Sequence, residues 1–210
     1  MPVTAIIGSG FSGLSAAAYL SAAGHDVHVF EKNQTVGGRA RQWVTSEGYV
    51  FDMGPSWYWM PDVFDRFFND FGYKASDFYQ LRLLDPAFEM VFGAESIVVP
   101  SDYDALGQLF DRLEPGSAAR LDRFMAEAEI KYRLGMEQLV YKPALSMWEF
   151  ISLPVLRQAF QVNLFSSFRK HLRRYFTDSR LLALMEFPIL FLGGTADTTP
   201  ALYSLMNYAG

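Results

Sequence analysis

The residues with the clearest chemical meaning are three glycines and one acid near the start of the chain. Gly8, Gly10 and Gly13 form a complete G-x-G-x-x-G pattern, and Glu31 follows it. Glycines at this spacing allow a tight turn, a close backbone approach to a pyrophosphate and close packing of a helix on a strand. An acid beyond such a turn can accept hydrogen bonds from ribose hydroxyls, and it would repel a 2′-phosphate. The pattern therefore predicts a dinucleotide site that suits FAD or NAD better than NADP.

A strand, a helix and a second strand are needed to hold these four residues. The apolar, partly β-branched run at 3–7 predicts the first strand, and 27–30 predicts the second. Between them, apolar side chains at helical spacing predict a helix that Gly24 can close in the left-handed conformation. These side chains are Leu14, Ala17, Ala18 and Leu20. The N-terminus of this helix would offer unpaired N–H groups to phosphates.

Two simpler interpretations compete for this start of the chain. Many glycine-rich turns only pack a helix onto a strand, but here the strand, helix and acid all accompany the pattern. A secretory signal peptide is also apolar and alanine-rich, yet it needs a positively charged beginning. No Lys or Arg precedes Lys32 in this chain. The dinucleotide site is therefore the preferred interpretation.

The composition excludes several classes of protein and site. The chain has 210 residues, half of them hydrophobic and 16% aromatic, which is enough for a substantial core. It has no cysteine, which removes disulfides, thiolate metal sites and catalytic thiols. The three histidines, His25, His28 and His171, are too scattered to suggest a metal site, so we expect no metal. A net charge of -5 argues against a nucleic-acid partner.

A second glycine pair follows the acid. Gly37 and Gly38 precede Arg39 and Ala40, where paired glycines suit close backbone approach and an arginine can serve a phosphate. The simpler alternative is a turn with a solvated arginine. The segment 48–56 then predicts a short strand that ends in a glycine and proline turn, in which Asp52 could be a turn cap.

Taken together, these motifs resemble the amino-terminal half of bacterial-type phytoene desaturases and related carotenoid oxidoreductases. The resemblance rests on 8–13, Glu31, 37–40 and the Phe51-Asp52-Met53-Gly54-Pro55 segment, and it extends to the loop and helix at 193–204. The first motifs are shared with amine oxidases and other flavoproteins. The later ones, with the aromatic run Trp57-Tyr58-Trp59-Met60, point to the carotenoid branch.

The resemblance implies FAD as the resident cofactor and a set of residues around it. In this set the glycine-rich turn borders the pyrophosphate, Glu31 takes the ribose, 38–40 complete the diphosphate contacts, and 54–56 lie towards the flavin ring. The full set is Gly8, Ser9, Gly10, Phe11, Ser12, Gly13, Glu31, Lys32, Gly38, Arg39, Ala40, Gly54, Pro55 and Ser56. Glu149 matches an acid of the family and is a candidate proton acceptor. Because Ser152 stands where many relatives have an arginine, a plain surface carboxylate is the alternative for Glu149.

The expected fold is α/β: a Rossmann-like FAD-binding domain with a βαβ start, an inserted substrate region of antiparallel strands and a mostly helical segment. Short strands are predicted at 78–83, 88–92 and 96–99. A helix capped by Ser101 and Asp102 should run to Leu113. A longer helix should bury one face, formed by Leu121, Met125, Ala128, Tyr132, Met136 and Leu139. The expected division is 1–75 for part of the FAD domain, 76–130 for part of the substrate domain, and 131–210 for the helical segment.

The segment 150–177 has no acid and five bases, Arg157, Arg169, Lys170, Arg173 and Arg174. The apolar residues of its second half share one face, namely Leu164, Phe165, Phe168, Leu172 and Phe176. Such a helix can lie on an anionic membrane, or it can be an ordinary helix with a core face and a solvated face. Because a C40 polyene dissolves in the bilayer, the resemblance favours the membrane. We therefore expect a cytoplasmic, peripherally membrane-associated protein.

The resemblance implies desaturation of phytoene or a related polyene by hydride transfer to the flavin. Members of that family are more than twice as long, so the chain is expected to be an amino-terminal fragment that is inactive alone. Two alternatives remain open. One is another flavin oxidoreductase of the superfamily, such as an amine oxidase, a carotenoid isomerase or a saturase. The other is a non-catalytic chain that binds a nucleotide or a membrane.

Overall fold

The computed structural model describes residues 1–54, 58–140, 145–146 and 166–209. Within these ranges the chain forms two compact units, Met1–Gln80 and Leu81–Gly210. The predicted α/β class is confirmed, because the first unit begins with a Rossmann-like βαβ element. The second unit combines a β-hairpin with helices.

The first unit begins with strand β1 (Val3–Ile7), helix α1 (Phe11–Ala22) and strand β2 (Asp26–Phe30). The two strands are parallel, in a register that runs from Val3 beside Asp26 to Ile7 beside Phe30. Gly24 follows α1 with φ +85°, a conformation that L side chains rarely adopt. The predicted strand, helix and strand are therefore confirmed.

The two faces of this small sheet differ in exposure. Thr4 and Ile6 are half-buried, and Ile6 lies beside α1, next to Gly13. On the other face, Val3 is 71% exposed and Ile7 is 92% exposed. Helix α1 therefore shields one face of the sheet and leaves apolar side chains of the other face bare within this unit.

The rest of the first unit is a hairpin and an aromatic helix. Strands β3 (Gln42–Val44) and β4 (Val50–Asp52) are antiparallel, and helix α2 (Pro61–Asp70) follows. Helix α2 packs on α1 through ring pairs. The pairs are Phe11 with Phe64 at 5.6 Å, and Tyr19 with Phe67 at 5.9 Å, between ring centroids.

The predicted strand at 78–83 is wrong. Within the described residues, a 3₁₀ turn (Ala75–Asp77) leads into irregular chain that pairs with no strand. The aromatic residues that suggested a strand instead pack on α2, where Phe78 stacks on Phe68 at 4.8 Å between ring centroids and Tyr79 lies at 6.0 Å. A hydrophobic stretch of this length fits a helix surface as well as a sheet.

The second unit begins with a hairpin and two helices. Strands β5 (Phe88–Phe92) and β6 (Glu95–Val99) are antiparallel, and helices α3 (Tyr103–Leu113) and α4 (Ser117–Arg133) follow, as the sequence predicts. The Asp102 carboxylate accepts a hydrogen bond from Ala105 N at 2.8 Å and caps α3. A single π-helical stretch (Leu134–Leu139) continues α4.

The remaining described elements are short. Helices α5 (Phe168–Leu172) and α6 (Ser179–Glu186) are followed by 3₁₀ turns at Phe187–Leu192 and Ala201–Ser204, and then by helix α7 (Leu205–Ala209). The core gathers side chains from the hairpin and from α3 to α6. Its fully enclosed members include Phe110, Leu121, Phe124, Phe168, Leu172, Phe176 and Leu181.

The apolar face of the basic segment belongs to this core. Phe168, Leu172 and Phe176 have 0% exposure, while Lys170, Arg173 and Arg174 are exposed. In the described part of the segment, the apolar face is therefore an ordinary core face. Residues 150–165 lie outside the described residues. No helix in the described ranges is long and apolar enough to cross a bilayer.

A buried polar cluster joins α4 to later parts of the second unit. Lys131 is completely buried, and its Nζ lies 2.9 Å from Glu127 Oε1 and 2.9 Å from Ser204 Oγ. His171 Nε2 lies 3.3 Å from the same Nζ, and Tyr175 donates to Glu127 Oε2 at 2.6 Å. Burial lowers the pKa of Lys131 and lowers the pKa of His171 to about 4.

Candidate functional site

The glycine-rich turn lies where β1 ends and α1 begins. Gly8 has φ +98°, and its N–H donates to Phe30 O at 2.7 Å, so the turn is tied to the end of β2. Gly13 lies against this turn, since a Cβ placed on it would stand 2.0 Å from Gly8 O. Any larger residue at 13 would push α1 away from the turn.

The N-terminus of α1 opens beside the turn. Gly10 is the residue before the helix, and Leu14 N donates to Gly10 O at 2.9 Å, which closes the first helical turn. The N–H groups of Phe11, Ser12 and Gly13 precede that bond, so none has a carbonyl four residues earlier within the helix. Together with the positive end of the helix dipole, these N–H groups have the chemistry that an anion requires.

Glu31 follows β2 and binds back onto the turn. Its Oε2 accepts from Ser9 N at 2.8 Å and from Ser9 Oγ at 2.6 Å. Its Oε1 accepts from Asn33 N at 2.9 Å and from Asn33 Nδ2 at 2.7 Å. The Ser9 hydroxyl and the other donors lower the pKa of Glu31 to about 2. The carboxylate is thus a fixed anion at neutral pH.

The second glycine pair meets the first turn. Gly37 N donates to Ser9 O at 2.8 Å, and Gly37 and Gly38 have φ of +107° and +59°. A Cβ on Gly38 would stand 3.0 Å from Gly10 Cα. The sequence suggested a close backbone approach at the first turn and at the second glycine pair, and the structure brings these two segments together.

Gly54 joins the same group of segments. A Cβ on Gly54 would stand 2.1 Å from Arg39 O, and Met53 N donates to Arg41 O at 3.0 Å. The end of β4 therefore lies against the 3₁₀ turn at Gly38–Ala40. The side chains of Arg39 and Lys32 are exposed.

Two parts of the predicted site cannot be placed. Pro55, Ser56 and Glu149 lie outside the described residues, so the roles that the resemblance implies for them stay predictions. Among the described residues, no group of three or more His, Cys, Asp or Glu side chains could hold a metal.

Asn33 is the residue that the sequence reasoning missed. Both its N–H and its side-chain amide donate to Glu31 Oε1. The available signal was an asparagine two residues after an acid at the end of a strand, a position where Asn favours turns. That signal predicts a turn at Asn33 but not the hydrogen bonds from Asn33 to Glu31.

The geometry as a whole suits the diphosphate and ribose of a dinucleotide. Gly10 and Gly38 bring two backbones together without side chains at the helix N-terminus. A fixed carboxylate lies beside them, at the end of the adjoining parallel strand. The donors, the open approach and the acid are the groups that such a ligand requires.

Comparison with known proteins agrees with this geometry. Residues 6–71 match the family described as NAD(P)-binding Rossmann-like domain. A carotenoid 3,4-desaturase of Haloarcula japonica is 39% identical over 97% of this chain and 41% of its own length. A zeta-carotene-forming phytoene desaturase of Myxococcus xanthus is 35% identical over 97% of this chain and 39% of its own length.

Solved structures show the same fold at low sequence identity. An A394C mutant of putrescine oxidase has a TM-score of 0.57 and 20% identity, over 97% of this chain and 40% of that chain. A fatty acid isomerase from P. acnes that produces CLA has a TM-score of 0.52 and 19% identity, over 97% of this chain and 41% of that chain. The chain thus spans about two fifths of the proteins it matches. Its sequence is homologous over nearly its whole length to the carotenoid and phytoene desaturases.

Proposed function

We propose that this chain is the dinucleotide-binding part of an FAD-dependent carotenoid oxidoreductase that desaturates phytoene or a related C40 or C30 polyene. The observation that carries the proposal is the meeting of Gly10, Gly38 and the fixed Glu31 carboxylate at the N-terminus of α1. It occurs in a chain that is homologous to desaturases.

FAD fits the site better than NADP, and the proposed reaction favours FAD over NAD. The Glu31 carboxylate would repel a 2′-phosphate and can accept from ribose hydroxyls. Desaturation of a carbon–carbon bond removes two electrons and two hydrogens from the substrate. A bound flavin would supply the two-electron acceptor for the hydride, and the second hydrogen would leave the adjacent carbon as a proton, so that the single bond becomes double.

This chain's residues would bind and orient the cofactor. The N–H groups at the start of α1 would hold the diphosphate, and Arg39 would add a positive charge beside it. Glu31 would hold the adenosine ribose. Glu149 is the proposed acceptor of the substrate proton.

We also propose that the protein collects its apolar substrate at a membrane surface. Support comes from Lys170, Arg173 and Arg174, which are exposed and have no acidic partner within 4 Å in the described residues. Clustered basic side chains are attracted to anionic lipid headgroups. Because the apolar face of the same segment is buried, the basic face would be the docking element.

The function can be tested by transplantation. This chain would replace the matching 41% of the Haloarcula japonica desaturase, and the chimera would be assayed for bound flavin and for desaturation of its polyene in liposomes. We expect both flavin and new double bonds. A chimera that folds but retains no FAD would contradict the proposal. One that retains FAD but isomerises or saturates the polyene would assign it to another flavin oxidoreductase class.

A further inference from the structure

An uncharged loop of the second unit is held at both ends by one arginine. Arg169 donates to Glu186 from Nε at 2.8 Å and from Nη2 at 2.7 Å, and it donates to Asp197 from Nη1 at 2.7 Å. The residues between these two acids, 187–196, carry no charge. Because both carboxylates bind one guanidinium, the two ends of this segment, here called the apolar loop, lie close together.

The inner side of the apolar loop is fixed to the rest of the second unit. Ile189 has 1% exposure and belongs to the core. Phe187 stacks on Phe88 of β5, with 5.4 Å between the ring centroids. Gly193 ends the 3₁₀ turn in the left-handed region, with φ +68°. These contacts fix the path of the loop.

The outer side of the apolar loop faces water with two leucines. Leu190 is 65% exposed and Leu192 is 45% exposed, although both follow directly on side chains that pack inside the unit. An exposed apolar patch that charged residues border is typical of a protein or membrane interaction site.

Basic side chains lie next to the end of the apolar loop. Arg169 N donates to Ala196 O at 2.9 Å, which ties the last residue of the loop to α5, and Lys170 is the next residue of that helix. Arg173 N donates to Arg169 O at 3.0 Å, so Arg173 lies one turn later on the same side of α5 as Arg169. The acids at the two ends of the loop are already paired with Arg169, which limits their repulsion of an anionic surface.

We propose that the apolar loop is the segment that inserts into an anionic lipid surface: Leu190 and Leu192 enter the boundary between headgroups and acyl chains, while Lys170 and Arg173 bind headgroups. The inference rests on the proposed collection of substrate at a membrane and names the inserting segment. Burial of apolar side chains and attraction to anionic lipid add to each other in such an anchor.

The size of the patch favours lipid over a protein partner. A stable protein–protein interface buries roughly 800 Å² on each partner, which two leucines and their neighbours on one loop do not supply. A shallow contact with a bilayer needs only a few apolar side chains, provided that basic residues add to the affinity.

The first test uses the absence of cysteine from the chain. Leu190→Cys introduces a single thiol, which is labelled with the environment-sensitive dye NBD and mixed with vesicles of phosphatidylcholine and phosphatidylserine. We expect the NBD emission to shift to the blue, to rise several-fold and to become protected from an aqueous quencher. Leu83→Cys is the control, because Leu83 is 82% exposed in the same unit, and its label should show none of these changes.

The second test needs no label. Leu190→Ser with Leu192→Ser should weaken binding to the same vesicles by roughly tenfold or more, because each leucine would bury apolar area in the lipid. Leu83→Ser with Leu84→Ser removes the same side chains from another exposed pair, 82% and 63% exposed, and should leave binding nearly unchanged.

Four outcomes would overturn the role of the apolar loop. Two of them leave membrane collection in place: vesicle binding with the label at 190 still in water, and equal weakening of binding by the two double substitutions. The third is blue-shifted emission before lipid is added, in this chain or in a cysteine-free form of the chimera, which would mean that protein covers the loop. The fourth, no vesicle binding by the unmodified chain, would overturn membrane collection as well. Loss of FAD or of desaturation in the chimera would contradict the proposed chemistry without changing these readouts.

Discussion

Two glycines of the candidate site have different roles: Gly13 is required by the fold, and Gly10 by the approach of a ligand. Gly13 is needed by the fold, since its Cβ would overlap Gly8 O. Gly10 has φ −76°, and a Cβ on it would lie 4.0 Å from Gly38 Cα, so the surrounding protein leaves room for an alanine at this position. Only a ligand that approaches the backbone requires a glycine at 10.

We therefore predict that Gly10→Ala keeps the fold and loses nucleotide binding, whereas Gly13→Ala lowers stability itself. Circular dichroism during urea unfolding measures stability, and calorimetry with ADP measures nucleotide binding. Gly10→Ala should retain the urea midpoint of the unmodified chain and bind ADP at least about tenfold more weakly. Equal loss of stability in both variants would contradict this assignment.

At this scale the sequence predicted that the glycines and the acid lie together, but not how they bond to each other. The spacing of the glycines and the acid follows from what a dinucleotide needs. The inward side chain of Ser9 and the two bonds from Asn33 depend on how the turn closes onto β2, which spacing does not encode.

Helix α4 carries two ion pairs of similar geometry and different surroundings. Lys131 pairs with Glu127 at 2.9 Å and is fully buried, whereas Arg133 pairs with Glu129 at 2.6 Å with 64% of its side chain exposed. Removing one member of a buried pair leaves an uncompensated charge and costs about 3 kcal/mol, against about 0.5 kcal/mol for an exposed pair.

Lys131→Met should accordingly lower the free energy of unfolding by about 3 kcal/mol, and Arg133→Met by about 0.5 kcal/mol. Both substitutions leave a side chain of similar length on the same helix. Urea unfolding at pH 7 measures the difference. Similar losses in the two variants would mean that the buried cluster is not a stabilising unit.

The same buried cluster, which joins α4 to α5, predicts that the stability of the fold depends on pH. Burial lowers the pKa of His171 from 6.5 to about 4; the charges of Lys131 and Arg174 act in the same direction, and Glu127 opposes them. The unfolded chain takes up this proton below pH 6.5, and the folded chain does so only near pH 4. Stability from this group is therefore complete above pH 6.5 and is lost as the pH falls towards 4.

His171→Gln should remove this part of the pH dependence. Urea midpoints measured from pH 4 to pH 8 should fall on acidification in the unmodified chain and fall less steeply in the variant. His28→Gln is the control, because the His28 side chain is 55% exposed. Parallel curves for the unmodified chain and His171→Gln would contradict the prediction.

Among the elements, those with strong local signals were predicted correctly. Helix α3 has its Asp102 cap, and β5 and β6 alternate around Gly93, which has φ +62°. The strand prediction at 78–83 failed because the aromatic residues of this segment pack on α2, and no local pattern contains such a tertiary contact. Strand β3 (Gln42–Val44) was missed because, unlike β4 of the same length, it does not end in a glycine and proline turn.

For the molecule as a whole, the basic face predicts binding to anionic membranes. Arg173→Glu with Arg174→Glu should weaken binding to phosphatidylserine vesicles by about tenfold or more, at roughly 1 kcal/mol per basic residue. Arg82→Glu with Arg112→Glu makes the same change of charge at exposed positions elsewhere and should have a smaller effect. Vesicle flotation at low salt measures both. Equal weakening of vesicle binding by the two double substitutions would indicate that the net charge of the protein alone attracts it to the membrane.

The overall fold class followed from the order of motifs, since a strand, glycine turn, helix and strand allow few arrangements. The two compact units could not be derived in this way. The boundary after Gln80 falls inside the misassigned segment 78–83, which is irregular chain, where periodicity carries no information about tertiary grouping.

The bare face of the β1–β2 sheet has a consequence for synthesis in the cell. The parallel pair and the helix between its strands come from one continuous stretch, 3–30, so this sheet can form before distant parts of the chain are made. Ile7 is 92% exposed and Phe30 is 59% exposed within the first unit, so the sheet presents an apolar surface once it has formed. Such surfaces attract chaperones and other nascent chains. Yield on overexpression should thus depend on chaperone supply more than on the stability of the second unit.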